Sequence, residues 1–118
     1  MVKVADVVEQ LGLRVVTQTV ELDTPITGGY ASDLLSCVMA KAQAGNVWVT
    51  LQAHANVVAV ASLLELACVI VTEGTQVEPT TVEKAENEGI PLLSTPLGSF
   101  AMVEALSALG IHGNARAE

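Results

Sequence analysis

The chain has 118 residues, of which 51% are hydrophobic, 15% charged and 3% aromatic, and its 13 acidic against 5 basic residues give a formal net charge of −8. That length is one domain's worth, and so apolar a chain is not intrinsically disordered. The charge balance excludes non-specific nucleic-acid binding, which draws its affinity from Lys and Arg on phosphates, and equally excludes docking on an anionic membrane surface.

The first ten residues contain Asp6 and Glu9 and lack the apolar core of a signal peptide. Val4, Val7, Val8 and Leu11 recur at helical spacing, and the following Leu11-Gly12-Leu13 predicts a helix ending at about residue 11. Leu13 to Thr17 is apolar and β-branched, the first strand. Gln18 to Ala31 contains Thr24-Pro25-Ile26-Thr27-Gly28-Gly29-Tyr30 and has no regular period. It is either a structural crossover whose glycines allow tight turns or a functional loop. Ser32 can cap a helix through Ala44, with Leu34, Leu35, Val38 and Met39 inward. Asn46 to Gln52 is the second strand. Asn56 can cap a helix from Val57 to Leu66, which runs straight into a third strand, Ala67 to Thr72. The apolar stretch Val57 to Val71 is interrupted by Ser62 and Glu65 and falls short of the ~20 residues a membrane helix needs. Thr80-Thr81-Val82-Glu83 reads as a capping box for a helix ending at Glu88, before Gly89. Pro91 to Ser94 is a short fourth strand. Thr95-Pro96 starts a last helix to Leu109, before Gly110. Residues 112–118 carry no apolar pattern and are expected to form a flexible tail, leaving 1–111 as a single domain.

Continuous rather than alternating apolarity marks strands covered on both faces. Their alternation with helices predicts an α/β fold: three layers, α/β/α, around a small, mainly parallel sheet of four to five strands. Cys37 and Cys68 are the only cysteines and belong to no Cys-x-x-Cys pair. They read as buried small hydrophobes in a reduced, cytoplasmic protein.

Three strings resemble the DRTGG domain family: Thr27-Gly28-Gly29-Tyr30-Ala31-Ser32-Asp33-Leu34-Leu35-Ser36, Trp48-Val49-Thr50-Leu51-Gln52 with His54 and Asn56, and Gly89-Ile90-Pro91-Leu92-Leu93-Ser94-Thr95-Pro96. The similarity runs from about Val4 to Ile111 and is greatest to the short, stand-alone members. Of the Asp-Arg-Thr-Gly-Gly string that names the family, Thr27-Gly28-Gly29 is present, and Pro25 and Ile26 occupy the two preceding places. The pattern from Ile70-Val71-Thr72 through Gly74 and Glu83 to Gly89-Ile90-Pro91 is also similar to the N-terminal domain of HPr kinase/phosphorylase. In longer proteins the family's domain accompanies regulatory nucleotide-binding modules of some inorganic pyrophosphatases and occurs in some phosphate acetyltransferases. The resemblance implies an α/β/α domain that dimerises. It does not imply kinase activity, because the kinase's catalytic domain is a separate one.

The residues themselves carry no complete catalytic set. Phosphoryl transfer calls for a Gly-x-x-x-x-Gly-Lys loop, and Gly28-Gly29 is followed by Tyr30 and Ala31. A hydrolase built on His54 and Ser94 lacks a Gly-x-Ser-x-Gly elbow. His54 with Asn56 and Glu73 offers too few ligands for a zinc site. In open parallel sheets, however, ligands bind outside the carboxyl ends of the strands. Those ends are polar here: Gln18, then Gln52 with His54 and Asn56, then Thr72-Glu73-Gly74, then Ser94-Thr95. The candidate ligand-binding residues are therefore Thr27, Gly28, Gly29, Gln52, His54, Asn56, Thr72, Ser94 and Thr95. The alternative is that they are only caps and turn residues. Helix N-termini at Asn56 and Thr95 suit an anion. Yet Lys3, Lys41 and Lys84 fall on helices, Arg14 enters a strand, and Arg116 is in the tail, so no basic residue is expected at a strand's carboxyl end. Three functions follow, in decreasing order of support: a non-catalytic regulatory or interaction domain acting as a homodimer, with a further protein partner in play; a sensor that holds an adenine nucleotide weakly through its backbone; and a kinase-associated or hydrolytic enzyme, the latter acting through His54 and Ser94. None calls for a cofactor or a metal.

Overall fold

In the computed structural model, which describes residues 1–114, the chain forms α1 (Val4–Leu11), β1 (Arg14–Val15), β2 (Gly28–Ala31), α2 (Leu35–Lys41), β3 (Asn46–Thr50), α3 (Asn56–Leu63), β4 (Cys68–Val71), α4 (Pro79–Glu88), β5 (Leu92–Ser94) and α5 (Ser99–Ala108). The helix stops lie where the glycines predict. Gly12 and Gly89 take φ of +63° and +70°, a left-handed conformation that costs other residues roughly 1–2 kcal/mol.

The strands form one sheet in the order β1-β5-β4-β3-β2, parallel throughout except that β1 runs antiparallel to β5. Successive side chains point to opposite faces, and this divides the core in two. Val47 and Val49 of β3, Cys68 and Ile70 of β4 and Leu93 of β5 pack with Val4 and Val7 of α1 and Met102 and Leu106 of α5. Trp48, Val69, Val71 and Leu92 pack on the other face with Val38 of α2, Val57, Val58 and Ala61 of α3, and Ala85 of α4. The result is the expected three-layer α/β/α sandwich. Burial pushes the Cys68 thiol up to about 12, which makes it an inert core group.

Several local expectations are corrected. Leu34 and Met39, expected inward, are exposed, and Cys37, expected buried, is half-buried. The first strand shrinks to Arg14–Val15 and lies antiparallel at an edge. Each parallel pair is consecutive in the chain and joined by a crossover helix, whereas β1 and its neighbour β5 are not consecutive. The end of the irregular segment is a strand: Gly28 to Ala31 pair in register with Asn46 to Val49. Four helices start differently: Asn56, expected to cap α3, is its first residue and Ala55 precedes it. Leu34 rather than Ser32 precedes α2, Glu78 precedes α4, and Gly98 precedes α5. The expected capping box does not form; Thr81 is buried and donates to the Ala53 carbonyl at 2.8 Å. His112 to Asn114, expected in the tail, are placed along β2. The Gly29 amide donates to the His112 carbonyl at 2.9 Å, and the Asn114 amide donates to Asn46 Oδ1 at 2.9 Å. The rest of the expected tail, 115–118, lies outside the described residues.

The crossover before β2 is irregular yet tied at each step. Its Thr24 and Leu22 carbonyls accept the first amides of α1, Val4 at 3.0 Å and Ala5 at 2.7 Å. The Glu86 carboxylate of α4 accepts the Gln18 and Thr19 amides at 2.6 and 3.0 Å and the Thr19 hydroxyl at 2.5 Å.

Candidate functional site

The chain leaves β4 and β5 in opposite directions. After β4 it turns to α4 on the Trp48 face, and after β5 it turns to α5 on the Met102 face. Such a parting at the carboxyl ends of parallel strands opens a crevice, the usual place for a ligand in an open α/β sheet. Glu73 and Gly74 make the first of these turns with φ of +65° and +67°. The Glu73 carboxylate then reaches across and accepts the Ser99 amide at 3.1 Å, so an acid from the β4 loop caps α5. That role belongs to Glu73 rather than to Thr95, whose hydroxyl accepts the Leu97 amide at 3.2 Å in a tight turn.

Beside this parting lies a cleft of about 710 Å³, lined by Gly74, Thr75 and Gln76 from the β4 loop, Ser94 and Thr95 from β5, Glu83 of α4, and Arg14. Arg14 is the residue the sequence reading does not place here. A parallel β1 would carry it to the amino ends of the sheet. Because β1 is antiparallel, Arg14 pairs with Ser94, the carboxyl-terminal residue of β5. One of the five basic residues thus stands at an end expected to have none. The one available signal is negative: no helix follows β1 before β2, so nothing obliges β1 to be parallel.

The candidate residues from the sequence separate into groups. Ser94 and Thr95 line the cleft. Thr72 is buried, its hydroxyl 3.4 Å from the Thr50 carbonyl and 2.6 Å from the Ser99 hydroxyl, and it ties β3, β4 and α5 together. Gln52, His54 and Asn56 follow β3, with β4 between them and Ser94. Gln52 donates to the Asp33 carbonyl at 3.2 Å, and Asp33 Oδ1 accepts the Thr50 hydroxyl and the Leu51 amide, each at 2.8 Å. His54 Nδ1 accepts the Asn56 amide at 3.2 Å, so His54 serves the start of α3 while Asn56 is its first residue. A His54–Ser94 pair is not formed, since two strand spacings, roughly 10 Å, separate their strands. Thr27 and Gly28 lie at the opposite end of the sheet, where Gly28 pairs with Asn46 and the Thr27 hydroxyl donates to the Ala44 carbonyl at 2.9 Å.

Gly29 lines a second, more apolar cleft of about 850 Å³ at the β2 edge, with Val49, Val103, Leu106, Ile111 and Lys41. Among the described residues no group of three or more His, Cys, Asp or Glu side chains is placed to hold a metal ion, and no helix is long and apolar enough to cross a membrane.

The DRTGG domain family model matches residues 6–109. No curated protein matches the chain. The fold is similar to the crystal structure of the CBS and DRTGG domains of the regulatory region of Clostridium perfringens pyrophosphatase, complexed with its activator diadenosine tetraphosphate. The identity is 15% and the TM-score 0.66, over 85% of this chain and 44% of that one. The chain therefore spans less than half the length of that regulatory region.

Proposed function

The chain belongs to the DRTGG domain family, and from that premise we propose that it is a non-catalytic regulatory domain that works by association, as a homodimer. The observation that carries this reading is the apolar surface of α5 and its approach. Phe100 is 89% exposed, and Val103 one turn on and Leu97 before the helix are 42% and 45% exposed. An exposed aromatic with apolar neighbours is a surface that association covers. The unpaired cysteines Cys37 and Cys68 suit a reducing, cytoplasmic setting. The similarity to the N-terminal domain of HPr kinase/phosphorylase supports the same reading, because that domain too stands apart from catalysis. Light scattering at micromolar concentration tests it. The expected mass is twice the 12.2 kDa of one chain, falling to one chain in Phe100→Asp. A unit of 12.2 kDa for the unaltered protein removes the dimer.

A second reading, a sensor of small adenine nucleotides, is favoured by the cleft beside β4 and β5 and by Arg14 within it. The pyrophosphatase region whose fold this chain shares was crystallised with such a ligand. Ligands that bind the native state raise its melting temperature by mass action. A panel of adenine nucleotides at millimolar concentration is expected to raise it here, and a panel without effect removes the reading.

A further inference from the structure

We infer that the cleft beside β4 and β5 takes a small molecule of nucleotide size bearing a single phosphoryl group, anchored by Arg14. This rests on the sensor reading above and gives it a ligand class and an address. The volume of about 710 Å³ lies within the range of small-molecule sites and well above what a lone inorganic anion fills. Arg14 is exposed and, among the described residues, is the one basic residue lining the cleft. Its guanidinium offers paired N–H donors to two phosphoryl oxygens. The Ser94 and Thr75 hydroxyls of the same lining are further donors. Gln76 and Glu83 provide acceptors for the hydroxyl or amino groups of the remainder of the ligand.

Charge then limits how many phosphoryl groups are tolerated. Among the described residues one guanidinium and one carboxylate line the cleft, in a chain of formal net charge −8. A first phosphoryl group meets Arg14; a second or third meets Glu83 and the negative field of the whole protein. Discrimination accordingly favours a nucleoside monophosphate over a triphosphate, the reverse of sites that gather several Lys and Arg around a polyphosphate.

Titrations of the full chain with AMP, ATP, adenosine and inorganic phosphate, followed by amide chemical shifts, test this. AMP is expected to bind more tightly than ATP and to move the amides of Gly74 to Gln76, while adenosine does not bind. Arg14→Gln, at an exposed position, is expected to keep the melting temperature of the ligand-free protein and to weaken AMP by at least about tenfold, the loss of one charge-assisted contact. Glu83→Gln is expected to narrow the gap between AMP and ATP. AMP affinity unchanged in Arg14→Gln overturns the inference while leaving a nucleotide sensor standing, and absence of binding by every nucleotide overturns both. Inorganic phosphate binding as tightly as AMP overturns the nucleotide-sized ligand, and ATP binding more tightly than AMP overturns the single-phosphoryl preference.

Discussion

Gly28 and Gly29 look, along the chain, like the glycines of a turn. In the fold they are strand residues chosen for close approach. A Cβ at Gly28 would stand 2.9 Å from the His112 carbonyl oxygen and 3.2 Å from Asn114 Oδ1, and one at Gly29 would stand 3.3 Å from Val47 Cγ1. The missing side chain at Gly28 lets residues 112–114 lie against β2. Gly28→Ala is therefore expected to destabilise by about 1–3 kcal/mol, the cost of overpacking, read as a lower urea midpoint. Gly113→Ala is the control. A Cβ there meets nothing within 4 Å, and the change should stay within about 0.5 kcal/mol. The two glycine roles were indistinguishable in sequence, because what crowds Gly28 arrives from the far end of the chain. Thr27-Gly28-Gly29 thus carries the family resemblance, while its Thr27 and Gly28 lie at the end of the sheet away from the Arg14 cleft.

Among the elements, the helix stops at Gly12, Gly89 and Gly110 and the β-branched cores of β3 and β4 were legible, since both follow from a residue and its immediate neighbours. The helix starts were less so. Glu73 caps α5 from another loop, and Thr81 spends its hydroxyl on Ala53; both partners are brought by tertiary folding. The crossover shows the same dependence. Its start is held by Glu86, whose three accepted hydrogen bonds, with the Thr19 hydroxyl foremost, hold its carboxyl below the usual 4.5. A carboxylate with a lowered folded pKa stabilises the native state above its unfolded pKa. That contribution fades as pH falls from about 4.5 through the folded value. The melting temperature of Glu86→Gln should accordingly lie below that of the unaltered protein at pH 7, and the gap should close towards pH 3. A gap of constant size across that range would show that the carboxylate's charge is not what holds the crossover.

For the molecule as a whole, one sheet carries two apolar layers, so the layers should not unfold separately. Met102 is fully buried on the α1–α5 side, and Trp48, the sole tryptophan, is fully buried on the other, its indole N–H donating to the Ser32 carbonyl at 2.9 Å. Met102→Ala is expected to destabilise by about 2–5 kcal/mol. The midpoint should fall equally by Trp48 fluorescence and by far-ultraviolet circular dichroism, since small domains unfold in one cooperative step. Divergent midpoints would mean that the two layers melt independently. The negative charge also acts at this scale: it opposes polyanions, and among the described residues the basic side chain at the carboxyl-end cleft is Arg14.

The sequence by itself determined the α/β class, the three layers and the positions of the buried parallel strands, because burial on both faces requires unbroken apolar runs; it also marked the stops of α1, α4 and α5 with a local glycine, whereas α2 and α3 stop at Lys41 and Leu63, three residues short of the expected ends. Tertiary structure alone decided the direction of β1 and the pairing of β2, since strand pairing joins residues far apart in the chain and leaves no local mark on an edge strand. That decision moved Arg14 to the carboxyl ends of the sheet, beside Ser94.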